Sequence, residues 1–333
     1  MKRTLIRVLV SFTLWIIGVA ALIVFGTARP PPAAASITGP FAAINDRDLP
    51  ELRRYPARDG AQLSFRLYPA TGRQVAVLIH GSAGSSVDMH PLATALHRAG
   101  VTVLVPDVRG HGSNRPHGDI TYVGQLDDDL ADFVTNERPQ FPNTVWTTIG
   151  FSSGAGFTLR VAAEAPLGRI FDQYILVSPY LKYNAPSVRQ ADEPAKRESL
   201  KPESAASPSW AAVSTGRIIG LSILNFFGVR LWDGLPVLTF PVPENLDAVT
   251  RTYSWRLQQN FGAHPDYLSD IRAVARPVHV YVGGADELLD AEKLRAEFQS
   301  QRGDIPVFIL PGLGHADMVT RDEALRAIVA NFP

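Results

Sequence analysis

The 333-residue chain contains no cysteine, which excludes disulfides and thiolate metal sites but does not by itself identify a compartment. It also lacks net charge, because 32 basic residues balance 32 acidic ones. The balance is uneven. Residues 1–35 hold no acid, only Lys2, Arg3, Arg7 and Arg29, so residues 36–333 carry the other 28 basic side chains against all 32 acids, a net of −4. That remainder has no basic stripe and no lysine-rich tail, so nucleic-acid binding lacks an electrostatic footprint. There is no internal repeat. The 46% hydrophobic content is ordinary for a chain that buries one large core or two smaller ones.

Charge is absent from residues 8–26, nineteen positions that follow Lys2, Arg3 and Arg7. This pattern predicts a segment that enters a membrane and leaves its positive end in the cytoplasm. A cleaved signal peptide would have a shorter apolar region before a small-residue site. Ala33-Ala34-Ala35 could supply such a site, but Pro30-Pro31-Pro32 separates it from the apolar run. The reading is therefore an uncleaved signal anchor in residues 1–26, with the rest on the exported, periplasmic or extracytoplasmic side; cleavage would make the protein secreted. Residues 27–50, rich in Pro, Ala and Gly, read as a tether.

From there the chain alternates strand and helix signals. Residues 63–68 alternate apolar and polar, as a half-buried edge strand does. Residues 75–79 and 101–105 are continuously apolar, as strands covered on both faces are. Further strands are predicted at 144–149, 174–178, 278–282 and 307–310. Helices are predicted at 91–99, 126–137 (with an acidic outer face), 155–163, 290–299 and 321–330. This rhythm gives a mostly parallel sheet covered on both faces, in which ligands bind beyond the carboxyl ends of the strands. Residues 51–180 and 271–333 form that core. Between them, residues 181–270 show no clear sheet strand and read as a cap. Residues 182–209 are charged, proline-bearing and irregular. Residues 218–232 are strongly apolar, serving either as the core of the cap or as a lid that lines an acyl pocket or touches the membrane.

One stretch organises the rest. Gly150-Phe151-Ser152-Ser153-Gly154 lies between an apolar strand and a helix-forming segment. A strand–turn–helix junction this tight strains its central residue, and positions two before and two after must be small to clear the neighbouring backbone. Ser152 would stand exposed above the sheet, with the Ser153 N–H and the positive end of the following helix facing any oxyanion. His80-Gly81-Ser82 follows an earlier strand and aims the Ser82 N–H at the same place as a second donor. Asp286, on a glycine turn after the 278–282 strand, is the candidate acid. Glu287 and Asp290 compete with it but fit better as openers of the following helix. Among eight histidines, His315 alone occupies a glycine-flanked loop after the last strand. The order Ser…Asp…His is that of a serine hydrolase triad. Asp107 and Arg109 read as loop-stabilising residues. His111 and His117 lack a third partner at metal-binding spacing, so no metal or cofactor is expected.

With these residues identified, the chain resembles the α/β-hydrolase superfamily, most closely its lysophospholipase and monoacylglycerol-lipase-like branch. The likeness rests on His80-Gly81 with Ser82, Asp107-x-Arg109-Gly110-x-Gly112-x-Ser113, Gly150-x-Ser152-x-Gly154, Gly283-x-x-Asp286 and Gly314-His315. Phe151 and Ser153 depart from the branch's usual His or Asn and Met. The resemblance implies an eight-stranded sheet with a cap between strands six and seven. It also implies hydrolysis of carboxylic esters through an acyl-enzyme, with a lipid-like substrate suggested by the apolar cap and the neighbouring membrane. The same triad could serve a thioesterase, an amidase or an acyltransferase. A non-catalytic, membrane-tethered binding protein is the alternative from another class.

Overall fold

The computed structural model describes residues 2–28, 35–189, 210–241 and 249–332. In chain order its strands begin with β1 (Leu52–Pro56), β2 (Gln62–Tyr68), β3 (Gln74–Ile79), β4 (Thr102–Pro106), β5 (Val145–Phe151) and β6 (Gln173–Val177). Three short strands follow, β7 (Ala212–Val213), β8 (Pro236–Thr239) and β9 (Thr252–Ser254), before β10 (Val278–Gly283) and β11 (Val307–Leu310). The helices are α1 (Lys2–Phe25), α2 (Ala35–Ala42), α3 (His90–Arg98), α4 (Gln125–Glu137), α5 (Ser153–Ala163), α6 (Thr215–Phe226), α7 (Trp255–Asn260), α8 (Tyr267–Ala273), α9 (Ala291–Gln301), α10 (Asp317–Thr320) and α11 (Asp322–Ala330).

Eight strands form one sheet in the order β1-β2-β4-β3-β5-β6-β10-β11. β2 pairs antiparallel with β1 and β4, and every other pairing is parallel. The continuous apolar runs now have a cause. In β3, Val75, Val77 and Ile79 point into one buried layer while Ala76 and Leu78 point into the other. A strand with period-2 side chains must be apolar throughout when both faces are covered. One layer is closed by α4, α5, α8 and α9, through Phe133, Phe157, Ile271 and Phe298. The other is closed by α3, α10 and α11, through Leu92, Met318 and Ile328.

Several features differ from the sequence reading. β1 has only Tyr55 buried, so its alternation is too polar to announce a strand. The segment read as a tether contains α2, whose Phe41 packs against Phe151 with ring centroids 6.1 Å apart. The acidic face of α4 is not all outward: Asp127 and Asp129 are buried and meet Arg160 at 3.0 Å and Arg109 at 2.7 Å.

The insertion lies between β6 and β10, the sixth and seventh strands of the sheet. It does contain strands, contrary to expectation: β7, β8 and β9 make a separate antiparallel sheet. Most of the charged stretch 182–209 lies outside the described residues. The apolar stretch 218–232 supplies most of α6 and the turn after it. α6 packs on α1 rather than on the main core, in a cluster of Val19, Ile23, Leu221, Val237 and Trp255. α1 is 24 residues long and apolar enough to cross a membrane.

Candidate active site

β5 ends in the middle of the sheet and α5 starts one residue later, so Ser152 must turn the chain within a single position. It does so with φ 54° and ψ −120°, a conformation that L side chains rarely adopt. The two glycines make the turn possible. A Cβ on Gly150 would lie 2.3 Å from the Gly154 carbonyl oxygen and from Thr158 Oγ1, and a Cβ on Gly154 would lie 2.2 Å from the His80 carbonyl oxygen. The Ser152 N–H donates to the Val177 carbonyl at 2.9 Å, and its own carbonyl accepts from the N–H groups of Ala155, Gly156 and Tyr180.

His315 comes from the loop after β11 and Asp286 from the turn after β10. The structure brings both to Ser152: His315 Nε2 is 2.9 Å from Ser152 Oγ, and His315 Nδ1 is 2.8 Å from Asp286 Oδ2. The other carboxylate oxygen of Asp286 accepts from the N–H groups of Leu288 and Leu289, each at 2.9 Å. Arg189 Nε donates to the Asp286 carbonyl at 3.0 Å, so the first described residues of the insertion brace the acid turn. Asp286 and His315 are 1% and 2% exposed. Burial alone would depress the imidazole pKa, but the Asp286 carboxylate and the nearby Glu287 outweigh it and raise the value.

Of the competing acids, Asp290 caps α9 as expected, accepting from the Glu292 and Lys293 N–H groups. Glu287 does not open that helix. Its carboxylate accepts the His315 backbone N–H at 2.9 Å, and burial raises its own pKa.

The 80–84 loop crosses directly over the elbow. A Cβ on Gly81 would lie 3.0 Å from the Phe151 ring, and the Ser82 and Ser153 hydroxyls are hydrogen-bonded to each other. His80 accepts the Val108 N–H on Nε2 at 3.1 Å, which leaves the proton on Nδ1 to donate to the Gly81 carbonyl. Asp107 accepts the Ser86 and Ser113 N–H groups, one on each oxygen. Arg109 does not bind loop backbone as the sequence suggested; its side chain pairs with Asp129 and Asp59. Gly112 is essential to this packing, because a Cβ there would lie 2.3 Å from the Asp107 carboxyl carbon.

Sequence reasoning missed Tyr253. This β9 residue reaches from the cap to the loop: its hydroxyl accepts the Ala83 N–H at 2.7 Å and lies 2.6 Å from His111 Nε2. His111 Nδ1 donates to the Arg109 carbonyl, so Nε2 is the acceptor and the tyrosine hydroxyl donates to it. Burial and the neighbouring His80 depress the His111 pKa, keeping the ring neutral for this role. A lone tyrosine in a three-residue strand carries no motif, and only its partners reveal it. His117 instead faces the Gly112 carbonyl.

Comparisons with known proteins bear on the family and the fold. A family model described as "Alpha/beta hydrolase family" matches residues 76–330. A thermostable monoacylglycerol lipase of Bacillus sp. (strain H-257) is 38% identical over 117 residues, 34% of this chain and 43% of the relative, so the chain spans less than half of that protein. The fold resembles that of a soluble variant of monoglyceride lipase from Saccharomyces cerevisiae, with a TM-score of 0.60 at 17% identity over 91% of this chain and 97% of that one. It also resembles the Paleococcus ferrophilus monoacylglycerol lipase, with a TM-score of 0.58 at 18% identity over 81% and 98%. At these identities the structural likeness establishes the fold alone, while the matched model reaches from β3 through α11 and takes in the elbow and both loops that meet it. The chain is a member of the α/β-hydrolase family.

Proposed function

We propose that this protein is a membrane-anchored serine hydrolase that cleaves carboxylic esters of lipid-like acyl groups on the exported side of the membrane. The observation that carries the reading is the unbroken hydrogen-bond chain from Asp286 through His315 to the strained Ser152. A serine hydroxyl is a poor nucleophile until a base takes its proton during attack. In the proposed reaction Ser152 Oγ bonds to the acyl carbon as its proton passes to His315 Nε2, and the carbonyl electrons move onto oxygen. Collapse of that intermediate breaks the ester C–O bond, and the alcohol leaves with the proton from His315. Water then attacks the acyl-enzyme by the same route. Asp286 holds the imidazole with Nδ1 protonated and stabilises its cation. The Ser82 and Ser153 N–H groups are assigned as the oxyanion donors; among the described residues neither donates to a protein acceptor.

The apolar, aromatic cap supports a lipid-like substrate. Trp210 packs on Tyr180 at 5.2 Å and on Phe240 at 5.7 Å, and the Tyr180 N–H binds the Ser152 carbonyl. The Bacillus relative, named for monoacylglycerol hydrolysis, supports the same class. The expected result with p-nitrophenyl esters of two to sixteen carbons is a kcat/KM that rises with chain length. Activity confined to the shortest esters would make the substrate small and the cap mostly its own core.

The raised His315 pKa sets the pH dependence. The base works only when neutral, so kcat/KM should climb with pH through an apparent pKa above the ordinary histidine value of about 6.5. The stability linkage has the opposite sense: the protonated ring stabilises the fold fully below its unfolded pKa, and this is lost as pH rises through the raised folded value. Glu287→Gln removes a negative charge but keeps an acceptor for the His315 N–H. The acid limb of the kcat/KM profile should therefore move to lower pH; an unchanged limb would show that Glu287 has no electrostatic hold on the base.

A further inference from the structure

The apolar helix α1 is more than a leash, because the cap grips it. α6 carries Gly216 and Gly220 on one face, four residues apart, against the last turns of α1 and Gly26 just after it. The backbones approach so closely that no side chain fits between them. A Cβ on Gly216 would lie 2.9 Å from the Gly26 Cα, one on Gly26 would lie 2.6 Å from the Arg217 nitrogen, and one on Gly220 would lie 2.7 Å from Ile23 Cγ1. Small residues at this spacing are what apolar helices use to pack within a bilayer. Arg217 then closes the end of α1, donating from its backbone to the Gly26 carbonyl at 3.2 Å and from Nε to the Ile23 carbonyl at 2.9 Å. A cation is favoured at that helix terminus.

The pair is antiparallel. Gly216 meets Gly26 at one end, and Phe227 stacks edge-on against Trp15 at 5.5 Å at the other. Eleven residues separate Trp15 from Gly26 and Gly216 from Phe227, a depth of about 16 Å along either helix. If α1 spans a bilayer hydrocarbon core of about 30 Å with Gly26 at the exported surface, the far end of α6 lies roughly halfway through it. The surface there suits that place: Phe226 is 85%, Leu231 83%, Phe227 62% and Trp232 49% exposed. Trp15, Ile219, Ile223 and Phe226 also line an open, almost wholly apolar groove of about 540 Å³ between the two helices. Arg230 is the single exposed charge on this tip, on a stem long enough to reach toward a polar layer.

We propose that α6 and the turn after it enter the exported leaflet alongside α1, so that anchor and cap form one membrane-embedded unit. The proposal rests on the membrane-anchored reading above. Its occupant is the acyl-chain layer of a bilayer, because the exposed tip is continuous with the exposed apolar surface of α1. The embedded unit also reaches the site. Trp255 belongs to the α1–α6 cluster and lies two residues after Tyr253, whose hydroxyl holds the Ala83 N–H of the loop over Ser152. Membrane insertion would thus hold the site at the surface where lipid substrates reside.

The cysteine-free chain makes the test clean. The full-length protein is reconstituted into phosphatidylcholine vesicles with a single bimane label at Leu14→Cys on α1, at Phe226→Cys or Leu231→Cys on the tip, or at Glu323→Cys on α11 as an aqueous control. All four positions are exposed, so labelling leaves the core intact. Nitroxides placed midway along the lipid acyl chains should quench the labels at 14, 226 and 231 at least threefold more than the label at 323, and iodide should show the reverse order. If position 14 is lipid-quenched while 226 and 231 respond to iodide, the cap lies outside the bilayer and the proposal fails with the anchor reading intact. If position 14 also responds to iodide, the anchor reading fails and the proposal with it.

Discussion

Asp286→Asn should lower kcat by about 10⁴-fold while the protein remains folded. Asparagine is nearly isosteric, and its carbonyl oxygen can still accept the Leu288 and Leu289 N–H groups that the carboxylate now holds. Its amide nitrogen would then face His315 Nδ1 as a donor. The imidazole would have to shift its proton to Nε2, where it points at Ser152 and can no longer accept the hydroxyl proton. The mutation therefore reverses the tautomer rather than removing a contact. Turnover of a short ester, alongside the thermal unfolding midpoint, distinguishes the outcomes. A loss of only a few-fold in kcat would mean that Asp286 merely shapes its turn, and another acid would have to be sought.

The second large effect comes from a single methyl group. Gly154→Ala places a carbon 2.2 Å from the His80 carbonyl oxygen and 2.7 Å from that of Ile79, both backbone atoms at the end of β3. Neither can rotate away, so the elbow and the 80–84 loop must separate. They carry the two assigned oxyanion donors, one each. Misplacing one such donor costs roughly 100- to 1000-fold in kcat, with about 1–3 kcal/mol of stability lost to overpacking. Gly303→Ala, where a Cβ would meet nothing within 4 Å, should leave both unchanged. Equal activity of the two variants would show that the elbow tolerates movement and that the loop does not supply a donor.

What could be read from the sequence follows from how local each constraint is. The elbow was legible because a one-residue turn imposes glycine at fixed offsets, and the close backbone approaches at Gly150 and Gly154 are those offsets made physical. The two-faced strand β3 was legible for a similar reason, since burial on both sides leaves no polar position. His315 and Asp286 could be chosen because each follows a strand on a glycine turn. Features that depend on distant partners were not legible. Asp127 and Asp129 looked like part of a solvated face, because Arg160 and Arg109 reach them from elsewhere in the chain. Glu287 reads as a helix opener because its partner, the His315 N–H, lies 28 positions away in the chain. The cap strands have two to four residues each, too short for a period to register, so Tyr253 had no signal at all. The glycine pair in α6 is visible in the sequence, but its meaning depends on α1 lying against it.

The proposed mechanism requires Ser152 to be a nucleophile activated by His315. The most direct test treats the full-length protein in membranes with a fluorophosphonate, which phosphonylates an activated serine, and locates the adduct by mass. A single adduct on Ser152 is predicted, with labelling and ester turnover both at background in Ser152→Ala. If the alanine variant folds and still hydrolyses esters at a comparable rate, Ser152 is not the nucleophile and the proposed mechanism is wrong.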